Sequence, residues 1–151
     1  MAASLRKEER PAGFRSARQM RSFLDSVLSD IDDDPEDGPR LRAAAAPLRL
    51  EFPDLKLRVD ISAAEREDHC LDWSFSKRSQ VKPGLHLTMD SAVGNRFLQG
   101  KENPAIALVR GRMHASASDA KAAVRFFPAA KPLFEHYRKM LERDYPQMLL
   151  D

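Results

Sequence analysis

The spacing of apolar residues changes period along this chain, and that change constrains the fold more than any count of residues. Between Phe14 and Ile31 the apolar positions Met20, Phe23, Leu24, Val27, Leu28 and Ile31 fall at helical spacing, forming one stripe of an α-helix. From Leu48 the period drops to two. Leu48, Leu50 and Phe52, then Leu55, Leu57, Val59 and Ile61, alternate with polar neighbours, which predicts a half-buried strand interrupted near Pro53-Asp54. The helix starts on Arg15, Arg18 and Arg21 and ends on Asp30 and Asp32, the reverse of what its dipole favours. Packing of the stripe must therefore hold it.

Further along, His69, Leu71, Trp73 and Phe75 alternate with Cys70, Asp72, Ser74 and Ser76, and Leu85, Leu87 and Met89 alternate with His86 and Thr88. Between them lies a turn at Pro83-Gly84. Asp90 or Ser91 can cap a helix carrying Val93, Phe97 and Leu98, closed by Gly100. Asn103-Pro104 opens a short helix with Ile106, Ala107 and Val109, ended by Gly111. Arg112–Ala117 alternates again as a strand. Ser118 caps a helix that Pro128 stops, and a last helix spans Pro132 to Arg143 with Leu133, Phe134, Tyr137, Met140 and Leu141 available for burial. Another short helix, from Pro39 to Ala46, precedes Pro47. This order reads as α+β: a mostly antiparallel sheet with helices packed on one face.

With 151 residues the chain is one domain in size, and 42% hydrophobic with 32% charged residues is the profile of a globular protein. Residues 1–13 read as a flexible arm, 14–151 as a single domain, 14–31 as its N-terminal amphipathic helix and 32–38 as an acidic loop. Twenty-five basic against 23 acidic residues leave a net charge of +2, too small a footprint for nucleic acid. The single cysteine, Cys70, excludes an internal disulfide and a Cys-cluster metal site. No secretory leader or membrane-spanning run is apparent, so a cytoplasmic location is expected. Within the first 21 residues, Arg6, Lys7, Arg10, Arg15, Arg18 and Arg21 oppose two acids, a composition suited to transient contact with anionic membrane lipid.

Most catalytic signatures fail on spacing. Asp30–Gly38 carries six carboxylates, but a calcium-loop register would put Pro35 at the sharp-turn glycine and Leu41 at the bidentate glutamate. Gly94 and Gly100 are separated by five residues, and Glu102, not Ser or Thr, follows Lys101, so no phosphate loop is formed. His69, His86, His114 and His136 show no zinc spacing. Cys70 and His69 are strand neighbours that point to opposite faces, and no Gly-x-Ser-x-Gly elbow occurs. Neither a cofactor nor a metal site is expected. What remains is a concentration of apolar residues on the short helices after the third alternation, where gaps between helices can admit an apolar ligand.

Leu87-Thr88-Met89, Phe97-Leu98-Gln99-Gly100-Lys101-Glu102-Asn103-Pro104, Ile106-Ala107-Leu108 and Arg110-Gly111-Arg112-Met113, in that order, resemble the sterol carrier protein family. The resemblance runs from about Leu55 to Met140, and the arginine- and alanine-rich composition is similar to that of a bacterial stand-alone member. It implies a five-stranded sheet and a hydrophobic tunnel between sheet and helices. It also implies a non-catalytic carrier whose ligand is a fatty acid, an acyl-CoA or a sterol-like lipid. By position the tunnel walls fall on Phe97, Leu98, Ile106, Val109 and Met113, extended to Phe126, Phe127, Phe134 and Tyr137, and Trp73 joins the expected ligand-binding set. Arg96, Lys101 and His114 are expected at its rim. Where the family often continues Gly-Asp, this chain has Ser118-Asp119, so a further strand there is short or replaced by helix. The alternative reading is an accessory protein or small enzyme acting on a hydrophobic biosynthetic intermediate, its partner enzyme unidentified.

Overall fold

A computed structural model describes residues 14–44, 47–79, 81–117 and 120–150. The expected arm at 1–13 and the Ser118 cap lie outside them. Helix α1 spans Ala17–Asp33 and buries all six stripe residues from Met20 to Ile31. Its start is fixed by Ser16, whose side chain accepts a hydrogen bond from the Gln19 N–H at 3.1 Å. The acidic run is a helix end and a helix start joined by one turn. Asp34 Oδ1 accepts the N–H groups of Glu36 at 2.9 Å and Asp37 at 2.8 Å, opening α2 at Asp37–Ala44.

The strands are β1 (Leu48–Phe52), β2 (Leu57–Ala63), β3 (Leu71–Ser74), β4 (Leu85–Met89) and β5 (Met113–Ala117), in the sheet order β3-β2-β1-β4-β5. The interrupted strand expected from Leu48 to Ile61 is instead a hairpin. Pro53–Leu55 forms a 3-10 turn and Lys56 takes a left-handed conformation (φ 53°), which reverses the chain and pairs Leu50 with Val59. This split supplies the fifth strand. β1 and β4 run parallel, and the other three pairings are antiparallel. The parallel pair requires residues 75–84 to cross from the β3 edge to the far side of β1. Arginines on the uncovered sheet face hold that crossing: Arg49 Nη2 donates to the Val81 carbonyl at 3.1 Å and Arg58 Nη2 to the Lys77 carbonyl at 2.6 Å. Arg49 Nε also pairs with the buried Asp60 at 2.7 Å.

The other face carries the helices: α1 and α2, then α3 (Ser91–Leu98), α4 (Pro104–Val109), α5 (Ala120–Ala129) and α6 (Lys131–Asp144). Asp90 makes no side-chain cap for α3. The cap comes from Asp54 of the hairpin turn, which accepts the Ser91 N–H at 2.9 Å and its hydroxyl at 2.6 Å. Gly94 lets α3 rest directly on β1, since a Cβ there would stand 2.6 Å from the Phe52 ring. Pro128 lies inside α5 rather than ending it, one residue before the helix closes at Ala129, and with no N–H it leaves one bond of the helix ladder unmade. One residue, the buried Ala130, separates α5 from α6. Among the described residues, no helix is long and apolar enough to cross a membrane.

Candidate functional site

Four phenylalanines from three short segments meet over the β4–β5 side of the sheet. Phe97 on α3 packs edge-on against Phe134 of α6 at 5.1 Å and against Phe127 of α5 at 6.4 Å. Phe126 meets Phe127 at 5.5 Å. Such edge-to-face pairs each add about 0.5–1.5 kcal/mol beyond area burial. Phe97 and Phe126 are buried, with Leu98 and Met113 also in the core, while Phe127 and Phe134 are half-buried. The four rings thus form a continuous seam from core to surface. Gly100, in the left-handed region at φ 72°, ends α3 beside it; a Cβ there would lie 3.9 Å from Phe134 Cβ.

The remaining members of the expected ligand-binding set are placed elsewhere. Tyr137 is fully buried against Phe23, with ring centres 6.5 Å apart, and its hydroxyl donates to Asn95 Oδ1 at 3.3 Å. Burial pushes its phenol far above the ordinary value. Trp73 sits on the β3 edge under α1, where its indole N–H donates to Asp25 Oδ1 at 2.9 Å. Ile106 and Val109 face outward, 46% and 87% exposed, because α4 turns Ala107 and Leu108 toward the core instead.

The polar rim is also redistributed. Glu102, whose side chain is only 6% exposed, accepts Arg96 Nε at 3.0 Å and Arg112 Nη2 at 2.7 Å. Burial opposes its charge, but the two guanidinium bonds outweigh burial and hold its carboxyl below the ordinary range. Glu102 therefore fastens the α3–α4 turn both to α3, through Arg96, and to the start of β5, through Arg112. Lys101 is exposed. His114 points from the uncovered sheet face beside Thr88, its partner in register, and lines an open cleft of about 490 Å³ with Arg112 and Asp90.

Two groupings escaped the sequence reading. Asn95 and Gln99 are both buried: Gln99 Nε2 donates to Asn95 Oδ1 at 2.9 Å and to the Met148 carbonyl at 3.0 Å, tying α3 to the last described segment. Two amides one helical turn apart inside an apolar stripe were the available signal. Asp32, expected in a solvated loop, is buried and accepts His69 Nδ1 at 2.7 Å and the N–H groups of Cys70 at 2.7 Å and Leu71 at 2.9 Å. Burial raises its pKa, yet those three bonds prevail and hold it below the usual carboxylate value. His69 is thus committed to Asp32. His86 pairs with Glu51 at 2.8 Å. Carboxylate oxygens of Asp34 and Asp37 and a ring nitrogen of His136 lie within 4.8 Å of one another, a donor set that a divalent ion could use; His136 Nε2 already pairs with Asp37 at 2.9 Å.

No family model and no curated protein matches the chain. Solved structures do. The sterol carrier protein domain 2 of Helicoverpa armigera matches at TM-score 0.56 and 14% identity, over 76% of this chain and 87% of that one. The UbiJ-SCP2 ubiquinone synthesis protein matches at TM-score 0.55 and 14% identity, over 77% of this chain and 92% of that one. A stereoselective inverting sec-alkylsulfatase, Pisa1 from Pseudomonas sp., matches at TM-score 0.51 and 16% identity, over 68% of this chain; the match spans 15% of the sulfatase. At these identities the likeness establishes the fold, the α+β architecture of sterol carrier domains. Because it extends to an insect protein, it does not single out a bacterial stand-alone type.

Proposed function

We propose that this sterol-carrier-like fold serves here as a non-catalytic lipid carrier, cytoplasmic and of the bacterial stand-alone type, that holds one fatty acyl, acyl-CoA or sterol-like molecule. The supporting observation is the phenylalanine seam, in which buried Phe97 and Phe126 continue without a break into half-buried Phe127 and Phe134. A hydrocarbon chain that parts the outer rings, which pack edge-on against Phe97, exchanges ring contacts for its own with apolar surface. Each CH₂ it buries contributes about 0.8 kcal/mol, so a long chain is held without specific polar contacts. Affinity then follows chain length, and selectivity follows the shape the rings allow.

The test is native mass spectrometry of freshly purified protein, followed by melting of delipidated protein with fatty acids, acyl-CoAs and sterols. A bound lipid mass and a stabilisation of about 2.7 kcal/mol at ligand concentrations a hundredfold over Kd are expected. No bound mass together with flat melting curves for every ligand overturns the carrier. A second reading, an accessory to an enzyme of hydrophobic biosynthesis, draws on the matched ubiquinone synthesis protein. It separates from the first if the bound mass is an aromatic or prenylated intermediate rather than an acyl lipid.

A further inference from the structure

Among the described residues, three large hydrophobic side chains are exposed: Val81, Ile106 and Val109. Two of the three stand one turn apart on α4, a helix of six residues. A single exposed aliphatic needs no explanation. Two on one turn, framed as these are by charge of one sign, form a small amphipathic surface. From Gly100 to Met113 the sequence holds one acid, Glu102, and that carboxylate is buried and doubly paired with Arg96 and Arg112. The exposed charges of the segment, Lys101 and Arg110, are both positive. Asp90, from the end of β4, lines the neighbouring cleft together with Arg112.

We propose that α4 with its flanking turns, residues 100–112, is the surface that docks this protein onto an anionic lipid bilayer. Ile106 and Val109 enter the interface between headgroups and acyl chains, while Lys101 and Arg110 lie among the phosphates. The buried double bridge at Glu102 does two jobs. It neutralises the one carboxylate of the segment, and it ties α4 to β5 and α3. The docking turn begins at Gly100, against Phe134, so the same approach brings the outer end of the phenylalanine seam to the bilayer. Of the basic residues expected to make membrane contact, Arg15 and Arg18 are exposed, the Arg21 guanidinium stacks over the Phe75 ring at 4.9 Å, and Arg6, Lys7 and Arg10 lie outside the described residues. The inference rests on the carrier reading for its purpose alone; the surface stands without it.

Cosedimentation of the full chain with phosphatidylcholine vesicles, with and without phosphatidylglycerol, tests it. Binding is expected with the anionic vesicles and should weaken in high salt, where screening shortens to about 3 Å at 1 M. Val109→Asp or Ile106→Asp should weaken it at least roughly tenfold, and Lys101→Gln or Arg110→Gln about fivefold each, the equivalent of about 1 kcal/mol per base. Circular dichroism of each variant checks its fold. Hydrogen exchange of the unaltered chain needs no variant and should show protection on vesicles centred on 104–110. Failure of the unaltered chain to bind, undiminished binding by Val109→Asp, or protection confined to other elements each overturns the docking surface. So does a concentration-dependent dimer abolished by Val109→Asp, which gives the face to a second copy. A protein that carries lipid yet ignores vesicles refutes the docking alone; one that docks through α4 yet carries no lipid refutes the carrier alone.

Discussion

Two aromatic clusters sit on the same face of the same sheet and meet opposite fates. In the first, Phe23 of α1 touches Phe14 at 5.3 Å, Tyr145 at 4.4 Å and Tyr137 at 6.5 Å, and Phe14, Phe23 and Tyr137 are all buried. In the second, two of four phenylalanines remain only half-buried. The rings are alike; the cover is not. A 17-residue helix with an unbroken stripe lies against α6 over the first cluster. The second is roofed by α3 and α5, helices of 8 and 10 residues, and by the first turn of α6 beyond the Ala130 junction. Length of cover, more than aromatic content, separates core from seam.

The largest expected effect tests that contrast directly. Phe23→Ala empties a fully enclosed site and should lower unfolding free energy by about 3–5 kcal/mol. Phe134→Ala removes a ring only partly enclosed, where the neighbours can close and water can enter, and should cost roughly 1–2 kcal/mol. Denaturant titration of both variants compares them. Equal losses would mean that the second cluster is as closed as the first, and the seam would lose its meaning.

A middle-sized effect concerns how each half is fastened. Asp32 pins the end of α1 to β3 through three hydrogen bonds, two of them to backbone N–H groups that its loss would strand. Asp32→Ala should therefore cost about 3 kcal/mol. Glu102→Ala breaks two guanidinium bonds, but each arginine side chain is already 35% exposed and regains water, so about 1–2 kcal/mol is expected. The loss should also be local, appearing as faster amide exchange over 100–112 rather than across the sheet. Both carboxylates are held below their ordinary values, so their stabilisation is present at neutral pH. It is lost as pH falls through the folded values, below 3.8 for Asp32 and below 4.5 for Glu102. A Glu102 variant that melts globally, or costs more than the Asp32 variant, breaks the distinction between a closed half and a stapled half.

The same contrast explains what the sequence could reveal. The α1 stripe and the alternations of β2 and β4 are local patterns, so β4 was legible to the residue and the α1 bounds to within three. The β1–β2 reversal was not, because Pro53-Asp54 reads equally as an interruption and a turn, and the left-handed Lys56 leaves no mark in composition. The parallel β1–β4 pair joins segments more than 30 residues apart and has no local signal. Among expected site residues, Phe97, Phe126, Phe127 and Phe134 come together, whereas Tyr137 joins the other cluster and Trp73 the opposite edge. For Ile106 and Val109, a helix of less than two turns offers too few positions for periodicity to distinguish inner from outer face. Asp32 was hidden among acidic neighbours, since its partners His69, Cys70 and Leu71 lie 37–39 positions away.

The smallest effect lies at that last junction. The hydrogen bond that His69 donates to Asp32 raises the His69 pKa above 6.5, with further help from Asp68 3.7 Å from the other ring nitrogen. A raised imidazole contributes its full stabilisation below the unfolded value and loses it as pH climbs through the folded one. The loss is partial, because neutral His69 can still donate Nδ1–H to Asp32 and only the charged component disappears. Asp32 meanwhile keeps the Cys70 and Leu71 N–H groups. The stability difference between the unaltered chain and His69→Gln should thus narrow as pH rises above 6.5 and through the folded value. Titration of the His69 ring proton by NMR should give a midpoint above 6.5 that falls back in Asp32→Asn. A midpoint at or below 6.5 in the unaltered chain would mean that Asp32 serves the backbone of β3 alone, and that the closed half is fastened without any help from charge on the histidine.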